Sequence, residues 1–144
     1  MTRKDKGKFA DKYPPQRKVN PAVRAAVASK AEHGTITCAA AFSVATEMKI
    51  PPEEVGFTID KSEIRIIKCQ LGLFGNTPIG KIVQAEKEIP SELENAIREK
   101  LVNNRLPCSA AWDIAARFKL PRIRVAGTCE ALKIKISNCQ LNAF

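Results

Sequence analysis

Residues 38–74 read CAAAFSVATEMKIPPEEVGFTIDKSEIRIIKCQLGLF, and residues 108–144 read CSAAWDIAARFKLPRIRVAGTCEALKIKISNCQLNAF. The two stretches align without a gap at an offset of 70 residues, with fourteen of 37 positions identical. Most other positions exchange like for like: Phe42 with Trp112, Val44 with Ile114, Met48 with Phe118, Ile50 with Leu120. A repeat at fixed offset defines the unit that has to be explained. Here the unit is about half the chain, which marks a duplicated small domain rather than one link of a solenoid.

Apolar spacing predicts the same elements in each copy. One helix spans about 38–48 and 108–118, with Ala41, Val44, Ala45 and Met48, then Ala111, Ile114, Ala115 and Phe118, on the buried face. Lys49-Ile50-Pro51 and Lys119-Leu120-Pro121 interrupt it, because proline does not continue a helix interior but suits the start of the next. A further helix follows over about 52–62 and 122–132. Alternating apolar and charged residues then predict half-buried strands over Glu63–Ile67 and Lys133–Ser137.

Upstream, Asn20-Pro21 has the chemistry of an N-cap and first helical position, so a first helix is expected over about 21–32, ending near Gly34. Its counterpart starts at Ser91, where Ser91 and Glu94 have capping-box spacing. The expected organisation is a basic disordered tail at 1–19, a repeat at 20–74, a linker at 75–89 and a repeat at 90–144. Gly75-Asn76 and Pro78 are turn signals in the linker, and Lys81–Gln84 is a candidate short strand. The fold class is mainly α with short β-strands.

The chain carries 24 Lys and Arg against 15 Asp and Glu, a net charge of +9. Residues 1–20 contribute +5, residues 21–89 are neutral, and residues 90–144 contribute +4. Such asymmetry favours a polyanionic partner. No apolar run approaches the ~20 residues of a membrane span, so no membrane partner is expected. The first residues lack the apolar stretch of a secretory signal, and a cytoplasmic location is the default expectation.

Two short helices joined by a tight turn and followed by a strand carry a recognisable pattern. A small residue sits where the helices cross, an apolar residue fills the turn, and another lies five residues on: Ala45, Ile50 and Val55, then Ala115, Leu120 and Val125. This resembles the helix-turn-helix family, and the trailing strand resembles its winged-helix branch, giving two tandem winged-helix-like repeats. Lys49 and Lys119 depart from the glycine the family often places in the turn, and neither copy shows a clear basic wing hairpin.

The resemblance implies binding of double-stranded DNA, with the second helix of the motif in the major groove. The readers it implies are Arg122, Ile123, Arg124, Ala126 and Gly127 in the second copy, and Pro52, Glu53, Glu54, Gly56 and Phe57 in the first. Glu53 and Glu54 would repel phosphates, whereas Arg122 and Arg124 would attract them, so the second copy is the expected DNA binder. Arg117, Lys119, Lys133, Arg17 and Lys18 complete the expected nucleic-acid-binding set. The expected role is transcriptional regulation. The alternatives are an adaptor that uses the same fold for a protein partner, and a cysteine-based metal or redox sensor; homo-oligomerisation stays open.

Cysteines fall at 38, 69, 108, 129 and 139, and four recur between copies: Cys38 with Cys108, Cys69 with Cys139. With no CxxC spacing, burial as small apolar residues is the leading reading and a four-thiolate metal site the alternative. No cofactor is implied. His33, the single histidine, lies beside Gly34 and reads as a helix-end residue. No nucleophile–base set, phosphate loop or dinucleotide fingerprint occurs, so catalysis is not expected.

Overall fold

The computed structural model describes residue 13, residues 17–76 and residues 80–143. Most of the expected tail (1–12 and 14–16), the Pro78 turn and Phe144 lie outside the described residues. The protein is mainly helical with short strands. In chain order the first copy gives α1 (Pro21–Lys30), β1 (Thr35–Thr37), α2 (Cys38–Met48), α3 (Pro52–Lys61) and β2 (Arg65–Ile67). The second gives α4 (Ser91–Glu99), β3 (Arg105–Pro107), α5 (Cys108–Phe118), α6 (Arg122–Leu132) and β4 (Lys135–Ser137).

Local chemistry accounts for the boundaries. Asn20 caps α1, its side chain accepting from the Ala22 N–H at 2.9 Å, with Pro21 in the first turn. The α2–α3 and α5–α6 turns close on Lys49 and Lys119, both left-handed at φ 56° and 55°. The following Ile50 and Leu120 N–H groups reach back to the Ala45 and Ala115 carbonyls at 3.0 and 2.9 Å. That six-to-one bond with an apolar residue after it is a Schellman ending, with lysine where glycine would be unstrained.

Three expectations change. The capping box at Ser91 and Glu94 does not form, because Pro90 takes the cap position and Ser91 falls one residue late; Glu94 bonds Arg98 instead at 2.8 Å. The strands begin two residues later than expected, because Glu63 and Lys133 are left-handed (φ 55° and 59°), a conformation that does not continue into an extended strand. Lys81–Gln84 is not a strand: the Ile82 and Val83 N–H groups both donate to the Gly72 carbonyl.

β1 and β3 are elements that the apolar pattern does not mark. Each enters from a two-residue turn, His33-Gly34 or Asn103-Asn104, with positive φ at both positions, as a type I′ turn requires. β1 pairs in parallel with β2 (Ile36 opposite Ile66) and β3 with β4 (Leu106 opposite Ile136). Among the described residues, the strand after the third helix therefore pairs with the strand before the second helix.

The compact units do not follow the sequence copies. Among the described residues, one comprises those up to Cys69 with Gln140–Ala143; the other comprises those from Gln70 to Cys139. In the first, Val23, Val27, Ile36, Val44, Phe57 and Leu141 are buried; in the second, Leu71, Leu93, Ile97, Leu106, Ile114 and Val125 are. No helix among the described residues is long and apolar enough to cross a membrane.

Candidate nucleic-acid interface

The end of α5, its turn and the first turn of α6 bring together Arg117, Lys119, Arg122 and Arg124, all exposed. Seventy positions earlier the same backbone carries Glu47, Lys49, Pro52 and Glu54. Lys133, the left-handed residue that ends α6, likewise stands where the first copy has Glu63. Three positions are thus acidic in one copy and basic in the other.

The basic side chains are differently held. The Arg122 guanidinium lies 3.5 Å from the centre of the Trp112 ring, and its Nη1 donates to Gln70 Oε1 at 3.2 Å. Stacking of this kind preserves the charge while ordering the side chain. Arg117 lies 5.3 Å from the Phe118 ring centre. Lys119 occupies the turn itself. Arg124 Nε meets Glu86 Oε1 at 3.0 Å, with the Arg124 side chain still 52% exposed.

The helix bodies tell a different story from the expected readers. Val55 through Asp60 are buried without interruption, as are Val125 through Cys129. A helix buried on every side needs cover beyond its partner helices, and an arm of chain supplies it in each unit. A β-carbon on Gly127 would fall 2.6 Å from the Gln84 carbonyl oxygen, and the Glu86 N–H donates to the Gly127 carbonyl at 3.1 Å. A β-carbon on Gly56 would likewise run into the Leu141 carbonyl oxygen. Glycine is what permits this backbone-to-backbone approach. Ala126, Gly127, Gly56 and Phe57 are therefore inaccessible to base edges, Ile123 is half-buried, and the fully exposed residues of α6 are Arg122 and Arg124 in its N-terminal turn.

Arg17 belongs to this cover. Its Nη2 meets Glu54 Oε2 at 2.8 Å, a second nitrogen lies 3.9 Å from Glu53, and its guanidinium sits 3.8 Å over the Phe57 ring. Lys18 beside it is exposed. Tyr13 is 8% exposed, packs edge-on against Phe57 at 4.8 Å, and donates to Asp60 Oδ2 at 2.8 Å. Burial drives the Tyr13 hydroxyl well above the ordinary tyrosine range. Extending the 70-residue offset upstream would have paired Tyr13 with Val83, also buried, but identity vanishes there and the arms escape a search for similarity.

Cys38, Cys108 and Cys129 are buried, Cys69 and Cys139 half-buried. Among the described residues no group of three or more His, Cys, Asp or Glu is arranged to hold a metal ion. His33 sits exposed in its turn.

No protein-family model, curated protein or solved structure matches this chain.

Proposed function

We propose that the chain binds double-stranded DNA through phosphates, using the N-terminal turn of α6 and the turn before it, in a tandem winged-helix-like scaffold with a regulatory role. The observation that carries this is the change of sign on a repeated backbone: Glu47, Glu54 and Glu63 in the first copy against Arg117, Arg124 and Lys133 in the second. Folding alone is served by the acidic version. In α3, Glu53 and Glu54 complement the positive end of the helix macrodipole. In α6, two arginines sit at that same end and no acidic residue accompanies them in the first turn. This concentrates positive potential where a helix already favours an anion.

The covered body of α6 supports backbone contact rather than base readout, so the expected binding is weakly sequence-dependent. The basic N-terminal residues add charge to the same interaction. An adaptor role would call for an exposed apolar patch of several hundred Å². Among the described residues the large exposed hydrophobics are Ile82 at 45% and Val102 at 53%, too little for one.

A mobility-shift assay on a random-sequence duplex tests the proposal. Lys119→Ala with Arg122→Ala should weaken binding markedly, whereas Glu53→Gln with Glu54→Gln should not. Equal binding by wild type and the Lys119/Arg122 variant would refute it.

A further inference from the structure

Beside α6 and β4, within the second unit, lies a cleft of about 380 Å³. Its apolar wall comes from Leu73, Ala126, Ile134 and Ile136, and its polar wall from Lys81, Glu130, Lys133 and Lys135. Lys81 Nζ is ion-paired with Glu130. That pairing leaves two ammonium groups, Lys133 and Lys135, with no ion-pair partner among the described residues. We propose that this cleft binds a small organic anion: a carboxylate on a short apolar body, its head on Lys133 and Lys135 and its body against Ile134, Ile136 and Leu73.

The first copy shows how the corresponding positions look without that chemistry. Asp60 replaces Glu130 and accepts from the Tyr13 hydroxyl, Glu63 replaces Lys133, and Arg65 replaces Lys135. Val83 stands 70 positions after Tyr13 and is smaller by an aromatic ring. In the second copy Lys81, rather than a phenol, meets the carboxylate, and Lys133 stands where the first copy has an acid. The volume lies at the low end of the ~300–1,000 Å³ typical of ligand pockets, which suits a metabolite-sized molecule. Cys129 also lines the cleft, and burial pushes its thiol up to about 11. It is a neutral wall at physiological pH, which fits reversible binding rather than covalent capture.

The test is a thermal-shift and NMR titration of the full chain at low ionic strength with hexanoate and 3-phenylpropanoate. Acetate supplies the head alone, and hexylamine supplies the body with the opposite charge. The apolar carboxylates should raise the melting temperature and perturb amides of residues 133–136, with acetate and hexylamine at least about tenfold weaker. Lys133→Asn, which keeps a residue tolerant of left-handed φ, and Lys135→Gln should each cut affinity several-fold while leaving the unliganded melting temperature nearly unchanged. An equal response to hexylamine, no response to any probe, or full affinity in both lysine variants would overturn the proposal.

Discussion

Glu54 and Arg124 occupy the same position in two copies of one backbone, and each is ion-paired to the arm that precedes its own copy, with the polarity reversed. Arg17 meets Glu54 at 2.8 Å in the first unit, and Glu86 meets Arg124 at 3.0 Å in the second. At the 70-residue offset Arg17 aligns with Lys87 and Glu86 with Gln16, so the two latches share the helix position but not the arm position, and each arm carries the charge opposite to that of its own helix. Pairing by sign is a known way of fixing register.

The latches should be measurable but modest, since all four side chains are partly exposed. Glu54→Ala is expected to cost about 0.5–1 kcal/mol in urea unfolding. Arg17→Ala should cost about 1 kcal/mol more than Glu54→Ala, because it also removes the stack on Phe57. The exchanged pair Arg17→Glu with Glu54→Arg should recover part of what Arg17→Glu alone loses. Additive losses in this cycle would mean that the pair does not couple.

Alkaline pH should destabilise the fold. The Cys129 thiol is pushed up to about 11 by burial, with the Glu130 carboxylate adding to it; the Tyr13 hydroxyl is raised by burial and by Asp60. Each deprotonates first in the unfolded chain, near about 8.5 and 10 respectively. The native state then holds more protons than the unfolded one, so stability falls as pH rises. Urea midpoints should be flat from pH 7 to about 8.5 and decline from there through pH 11. Cys129→Ala should flatten the lower part of that decline and Tyr13→Phe the upper part. Tyr13→Phe should itself cost about 1–3 kcal/mol at neutral pH, because Asp60 is buried and loses a donor.

The close approach at the helix glycines makes a counter-intuitive prediction. Alanine is the better helix former by about 1 kcal/mol at an exposed site. Gly127→Ala and Gly56→Ala should nevertheless destabilise by about 1–3 kcal/mol, because the added carbon meets a backbone carbonyl that cannot rotate away. Differential scanning calorimetry measures this, and a raised melting temperature in either variant would show that the arm or C-terminal segment does not bear on its helix.

What could be read from the sequence, and what could not, divides along physical lines. The bounds of α2 and α5 follow from the repeat and from the lysine–apolar–proline interruption, and the Asn20 cap follows from side-chain chemistry alone. These are local causes. The arms through Tyr13 and Val83 are held by long-range burial, and their residues share an environment without sharing an identity, so neither periodicity nor alignment reveals them. Low apolar content made the N-terminal arm resemble solvated chain, although one buried tyrosine and one arginine anchor it. The accessible part of the candidate site, Lys119, Arg122 and Arg124, was legible from charge and motif position. The occlusion of Ala126 and Gly127 was not, because the covering segment lies about forty residues away in sequence. β1 and β3, at three residues each, are too short for alternation to register.

The central claim is tested most directly by the salt dependence of binding to a fluorescently labelled duplex, followed by anisotropy. If the turn and the start of α6 contact phosphates, the logarithm of the association constant should fall linearly with the logarithm of salt concentration, with a slope of about −0.9 per phosphate neutralised. Wild type should show a slope of about −3 or steeper. Lys119→Ala with Arg122→Ala should make it shallower by about 2, on every duplex sequence tried. A slope near zero for wild type, or the same slope in the double variant, would contradict the account.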